Sequence, residues 1–237
     1  MTTEYFDSIG STNDYLKEKS NAGILEAKDA VIAFSQTNGR GRLNRSFESP
    51  QGGVYISFCY GNIRGKEKEI LSVMPSVAAV VSMFIKNKLG IDTCIKWPND
   101  VIYNNKKCSG ILCEQTKMGD LIVGVGLNYK IDKFDSSLSD KAISLFNTSS
   151  ACPPIEQIAA ELLNALREVQ PLIKNRALFE YYNSVLLYKG SNVSLKTLYN
   201  NQIVEGKCLG VNENGELLIE TFDSSIKSYN VGELTSH

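Results

Sequence analysis

Ala30-Val31-Ile32-Ala33-Phe34 is an unbroken apolar run of strand length, and a few residues later the chain reads Gly39-Arg40-Gly41-Arg42-Leu43-Asn44-Arg45. The first segment is a buried strand by pattern. The second cannot follow it into a core. Glycine tolerates positive φ and close backbone approach, while arginine offers a planar fork of donors that stays charged. Three guanidinium groups on one short loop repel each other unless an anion joins them. The chain is therefore expected to fold so that this loop closes over a carboxylate or phosphate. A solvated surface loop is the bland alternative, but such loops seldom alternate glycine with arginine directly after a core strand.

With 237 residues the chain holds one full-sized core and a small second unit. A formal net charge of -1 excludes a general nucleic-acid binder. No apolar run reaches bilayer length, the longest being Val77 to Ile85 with Ser82 inside it, so no membrane association is expected. Met1-Thr2-Thr3-Glu4-Tyr5-Phe6-Asp7 is neither basic nor apolar, unlike a signal peptide. Cys59, Cys94, Cys108, Cys113, Cys152 and Cys208 form no Cys-x-x-Cys pair, and they are read as reduced, buried thiols of a cytoplasmic protein. A zinc site lacks its ligands. The single histidine, His237, is the last residue, which removes Ser-His-Asp and Cys-His mechanisms. Chemistry here has to rest on positioning, on charge, or on reactive groups of the ligand itself.

Along the chain, Ser11-Thr12-Asn13 precedes a short helix and suits its N-terminal cap. Val54 to Tyr60 reads as a strand. Pro75 is expected in the first turn of a helix ending near Leu89, with Gly90 as its stop. Strands follow at Thr93–Trp97, Val101–Tyr103, Cys108–Glu114 and Leu121–Leu127, with a turn at Asn104-Asn105. Lys130 to Ser150 is polar and serine-rich, a mobile loop by composition. Amphipathic helices are expected over Ile155–Val169 and Leu178–Leu187. From Lys189 the texture changes to short strands parted by turn residues, as in a small all-β barrel.

These elements, in this order, resemble the biotin–protein ligases over nearly the whole chain: Ser11-Thr12-Asn13; Gln36 ahead of Gly39-Arg40-Gly41-Arg42-x-x-Arg45; Gly52-Gly53-x-Tyr55-x-Ser57; Lys96-Trp97-Pro98-Asn99-Asp100; Lys107-Cys108-Ser109-Gly110-Ile111-Leu112; and Gly124-x-Gly126-x-Asn128. The resemblance implies an α+β fold. Residues 1–188 would form a catalytic domain with a central mixed β-sheet flanked by helices, and residues 189–237 an SH3-like β-barrel. The ligase motifs begin so early that a ligase-only form, without a DNA-binding domain, is expected. The implied chemistry uses ATP, biotin and Mg²⁺. The biotin carboxylate attacks the α-phosphate, pyrophosphate leaves, and a lysine of a biotin carboxyl carrier protein domain takes the biotin from biotinyl-AMP. The protein would be a monomer or a homodimer.

By the same resemblance Arg40 and Arg42 lie over carboxylate and phosphate, and Arg45 lies nearer the nucleotide. Lys107 carries transition-state charge with Arg42. Ser11, Thr12, Asn13 and Gln36 hold the ureido ring, and Gly110 lets biotin approach. Phe47 stands where many relatives have tryptophan and would fill the same apolar wall. Asn99, Asp100 and Asn128 face the nucleotide, and Asp100 either holds Mg²⁺ or orients the incoming lysine. Trp97 is a core anchor, while Lys96 is open between an ATP phosphate and a structural pair. The 130–150 loop is a lid. Three alternatives stay open: a lipoate or octanoate ligase or transferase of the same superfamily, an acyltransferase using Cys108, and a non-catalytic biotin or nucleotide sensor.

Overall fold

The computed structural model describes residues 1–66, 70–169, 172–173, 175–198 and 201–236; His237 lies outside them. Its elements are β1 (Thr3–Phe6), α1 (Thr12–Asn21), β2 (Ala30–Ala33), β3 (Val54–Asn62), α2 (Ile70–Leu89), β4 (Cys94–Lys96), β5 (Asp100–Tyr103), β6 (Lys106–Gln115), β7 (Asp120–Leu127), α3 (Ile155–Arg167), α4 (Arg176–Ser184), β8 (Asn192–Lys196), β9 (Ile203–Val211), β10 (Leu217–Thr221), β11 (Ile226–Tyr229) and β12 (Glu233–Ser236). They divide into two compact units, Met1–Glu67 with Ile102–Gln170, and Lys68–Val101 with Pro171–His237.

In the first unit the strands run β1-β2-β3-β7-β6. β1 is parallel to β2, and the β2–β3, β3–β7 and β7–β6 pairs are antiparallel, which makes the sheet mixed as expected. Apolar runs became strands here because they are rich in β-branched residues and buried along their length, as in Ala30–Ala33 and Leu121–Val125. Leu16 of α1 packs with Val31, Cys59 and Ile122, and Phe6, Tyr15 and Leu25 close around them. α3 buries Ile158, Ala159, Leu162, Leu163 and Leu166, one face of its helical period. β1 goes beyond the sequence reading: its four residues are too short and too exposed to show a pattern, and it is fixed by pairing with β2.

The second unit holds α2, β4, α4 and a five-stranded antiparallel sheet, β11-β10-β9-β8-β12. Pro75 is not in the first turn of α2 but inside it. A proline has no N–H for the carbonyl four residues back, here Leu71. That carbonyl faces Gly215: a methyl group added to Gly215 would collide with it and come within 2.9 Å of the Pro75 ring. The helix thus extends past its proline where another backbone meets the freed carbonyl. α2 also corrects the reading that nothing here is long enough to cross a membrane. Its 20 residues pass on length and hydropathy, but 67% of the window is buried, as in a core helix.

Two further expectations change. The 130–150 segment is tethered over its second half, where Lys107 N–H donates to Lys141 O (2.8 Å), Ile143 N–H to Lys107 O (3.0 Å) and Leu145 N–H to Asn128 O (2.9 Å). All six cysteines are free, yet only Cys59, Cys108 and Cys208 are buried; Cys94 is exposed and Cys113 and Cys152 are half-buried. Cys94 begins the short β4, so the apolar run around it does not place its side chain inside.

Candidate functional site

Three backbone features of the first unit converge on one patch. The N-terminus of α1 supplies Ser11, Thr12 and Asn13, all buried. Ser11 is extended (φ -155°) and its hydroxyl accepts from Asp14 N–H at 3.4 Å, so the capping role holds. The loop after β2 folds back as a narrow hairpin, closed by Phe47 N–H to Gly39 O (2.9 Å) and Gly41 N–H to Arg45 O (2.7 Å). Leu43 at its tip adopts φ 57°, a left-handed conformation costly for a branched side chain. The third feature is a strip of sheet without side chains, where Gly110 of β6 sits opposite Gly126 of β7.

That bare strip has a purpose in packing. A methyl group at Gly126 would meet the Phe47 ring within 2.8 Å, and one at Gly110 would lie 2.6 Å from Lys107 Cε, 2.7 Å from its Nζ and 3.2 Å from Phe47. The Lys107 ammonium stands 5.4 Å from the centre of the Phe47 ring, in cation–π range. Tyr55 meets Phe47 edge-on, with centroids 6.5 Å apart. Lys107, Gly110 and Phe47, which the family resemblance assigns to one site, therefore lie together. The Lys107 backbone is held at both ends, its carbonyl accepting from Ile143 N–H and from Asn128 Nδ2 at 3.2 Å. The Asn128 Oδ1 is buried without a hydrogen-bond partner among the described residues. Lys106 is half-buried, with Nζ donating to Ser139 O at 2.8 Å.

A polar chain lies beside this apolar wall. Gln36 Oε1 accepts from Thr12 N–H (2.9 Å) and from its hydroxyl (3.1 Å), and Gln36 Nε2 donates to Ser49 Oγ (2.9 Å). Ser57 Oγ lies 2.7 Å from Thr12 Oγ1 and donates to Asn13 Oδ1 at 2.5 Å. Asn13 Nδ2 donates to Glu114 Oε2 at 2.7 Å. Gly124 makes this possible, since any side chain there would strike the Asn13 carboxamide. Ser57 and Glu114 were not read from sequence as site residues: Ser57 stood only as part of the Gly52-Gly53-x-Tyr55-x-Ser57 motif, and a carboxylate at a strand's end carries no local signal.

Arg40 differs from the simple picture of a loop arginine waiting for a ligand. Its guanidinium is paired with the Asp14 carboxylate and lies 3.7 Å from Glu114 Oε1. Burial works against the charge of Glu114, but hydrogen bonds from Asn13 and Lys17 and the charges of Lys17 and Arg40 hold its carboxyl below the usual range. Arg42 is half-buried and Arg45 exposed. Asn99 (buried) and Asp100 (half-buried) fall in the second unit with Lys96 and Trp97. Trp97 is a core anchor there: it is 2% exposed, and its indole N–H donates to Gly215 O at 3.1 Å. Among the described residues no three His, Cys, Asp or Glu side chains gather as a metal site.

A mixed sheet with a glycine-bare strip, an arginine hairpin and Lys107 beside it is thus the arrangement that the first unit presents. Residues 5–131 match the family model described as biotin/lipoate A/B protein ligase, and residues 189–234 match the biotin protein ligase C-terminal domain. The chain belongs to the biotin/lipoate A/B protein ligase family. It is 32% identical over 239 residues to the bifunctional ligase/repressor BirA of Bacillus spizizenii, covering 95% of this chain and 71% of that protein. It is 28% identical to the biotin--[acetyl-CoA-carboxylase] ligase of Mycobacterium tuberculosis, covering 89% and 80%. The biotin protein ligase of Aquifex aeolicus, solved in complex with biotin and ATP, superposes with a TM-score of 0.81 at 30% identity, covering 100% of this chain and 99% of that one.

Proposed function

We propose that this chain is an ATP-dependent biotin–protein ligase that forms biotinyl-AMP and passes biotin to a lysine of a biotin carboxyl carrier protein domain. The observation that carries the reading is the convergence of Lys107, Phe47 and the bare Gly110/Gly126 strip beside the Thr12–Gln36 pair. It gathers an ammonium, an aromatic wall and urea-binding groups on one patch of sheet, the set of groups that a bicyclic acid with a urea ring calls for. The Aquifex aeolicus structure holding biotin and ATP supports the same ligands.

On this reading the protein aligns and the ligands react. The biotin carboxylate oxygen bonds to the α-phosphorus as pyrophosphate leaves, and then the carrier's amine attacks the anhydride carbonyl as AMP leaves. Lys107 and Arg42 offset charge that builds on the carboxylate and α-phosphate, with Arg40 and Arg45 on the same loop. Ser11, Thr12, Asn13 and Gln36 take the ureido ring, and Gly110 lets biotin approach as the Lys107 and Phe47 side chains that lie over it draw aside. Phe47 forms the apolar wall. The unpartnered Asn128 Oδ1 is an acceptor suited to an exocyclic amine of adenine. Asn99 and Asp100 are assigned to the nucleotide by the family pattern that their motif resembles. Mg²⁺ fits as a companion of ATP, because such an ion needs only one or two protein carboxylates beside phosphate oxygens, and Asp100 is the residue proposed to hold it. The need for ATP and the six free thiols fit a cytoplasmic setting. The buried Cys108 is sealed from any acyl substrate, which counts against a cysteine nucleophile.

The deciding assay is pyrophosphate release with ATP and Mg²⁺, run with biotin and in parallel with lipoate or octanoate. Release that depends on biotin supports the reading. Release with lipoate or octanoate alone would assign the chain to the other branch of its family, and no release with any of them would favour the sensor.

A further inference from the structure

We infer that Asp14 and Glu114, assigned no role above, are positioning residues that dock the arginine hairpin before any ligand arrives. Asp14 sits on α1, Glu114 on β6, and Lys17 bridges them, its Nζ 3.0 Å from Asp14 Oδ1 and 2.8 Å from Glu114 Oε1. Those three charges sum to one net negative charge in a half-buried recess, with side chains 22–32% exposed. Arg40 is the complement that neutralises it, through its Nη2. The hairpin is the piece that completes the recess.

The geometry of Arg40 shows what the docking achieves. One edge of the guanidinium is taken by protein carboxylates, while its Nε is buried without a hydrogen-bond partner among the described residues. A guanidinium with both edges free would swing with the loop. Held on one edge, it presents a fixed N–H to an acceptor on the ligand, and it carries Arg42 and Phe47 into place along the hairpin. The ordering entropy of the loop is then met partly before binding, which lowers the concentration of ligand needed. The effect belongs in KM, because the reacting groups are untouched once the loop is down.

The ligand part of this inference rests on the reading that biotin is the substrate; the docking part does not. The test is Asp14→Asn, with Glu114→Gln as a second variant should the first perturb folding, each checked by thermal unfolding. In ligand-free protein, tryptic cutting after Arg42 and Arg45 is followed by mass spectrometry. Removing one half-exposed partner should speed those cuts about five-fold, the scale of a solvent-screened pair. Biotin KM should rise by a similar factor of about five with kcat within about two-fold, and Asp14→Glu should restore both. Cutting rates unchanged in both variants would overturn the docking role, and faster cutting with an unchanged KM would overturn the positioning role. A wild-type protein that turns over no biotin would instead refute the ligase reading, while the cutting rates still decide the docking on their own.

Discussion

Lys107 is the residue on which the chemistry turns, and its setting makes a sharp expectation. Its ammonium lies against an aromatic face over a glycine, held by a strand whose backbone is pinned on both sides. Lys107→Ala should slow adenylation by about 30- to 1000-fold, which is about 2–4 kcal/mol of lost charge stabilisation. Pyrophosphate release measured at saturating biotin and ATP reads this, and a rate within a few-fold of wild type would remove Lys107 from the mechanism. Residues such as Lys107, Gln36 and Gly110 were legible in the sequence because they stand in short runs with fixed neighbours. Asp14 and Glu114 were not: Asn13, which donates the hydrogen bond to Glu114, lies 101 positions away. No local window holds a contact of that span. The pairing of Arg40 with protein carboxylates was hidden for the same reason, since the loop alone shows only repelling charges.

At the scale of elements, the strands that a reader could see were the long apolar ones, and those missed were the short edges. β1 and β12 have four residues each and depend on a neighbour for their hydrogen bonds. The segment from 130 to 150 looked uniformly loose by composition, yet its two halves differ. Residues 132–140 are mostly exposed, whereas Lys141 to Phe146 are hydrogen-bonded to Lys107, Asn128 and Tyr129. If the segment covers a bound nucleotide, trypsin should cut after Lys133 in free protein, and adding biotin with ATP should suppress that cut. Equal cutting with and without both ligands would end the lid proposal. The Pro75 turn of α2 makes a different expectation. Gly215 has φ 82° and no room for a methyl group against Leu71 O, so Gly215→Ala should cost about 2–4 kcal/mol, from backbone strain and overpacking together. A shift in the urea unfolding midpoint measures it, and an unshifted midpoint would mean that the helix and the turn yield easily.

For the molecule as a whole, acid stability should depend on Asp29, which is 3% exposed. Burial alone would raise its pKa, but N–H groups of Thr2 and Glu26, the Thr2 hydroxyl and the N-terminal ammonium outweigh burial and hold it below 3.8. A carboxyl with a depressed folded pKa adds stability above its unfolded value and loses it as pH falls through the folded one. Asp29→Asn should therefore lower stability at neutral pH and flatten its decline below about pH 4, as read from unfolding curves across that range. Parallel declines for wild type and variant would show that other carboxylates govern the acid limb. The general plan, a mixed sheet with helices followed by a small antiparallel sheet, was visible in the change of texture near Lys189. What texture could not show is that α2 and β4 belong to the same compact unit as the tail.

That shared unit bears on how the protein can be shortened. The indole of Trp97 donates to Gly215, and Tyr182 OH reaches Pro98 O at 3.5 Å, so the Lys96–Asp100 run is seated partly on a hairpin more than a hundred residues downstream. A fragment trimmed at residue 188 would retain every letter of that run while discarding half of its foundation. The small trailing sheet is thus no detachable accessory, and severing it should blunt the enzyme from a distance.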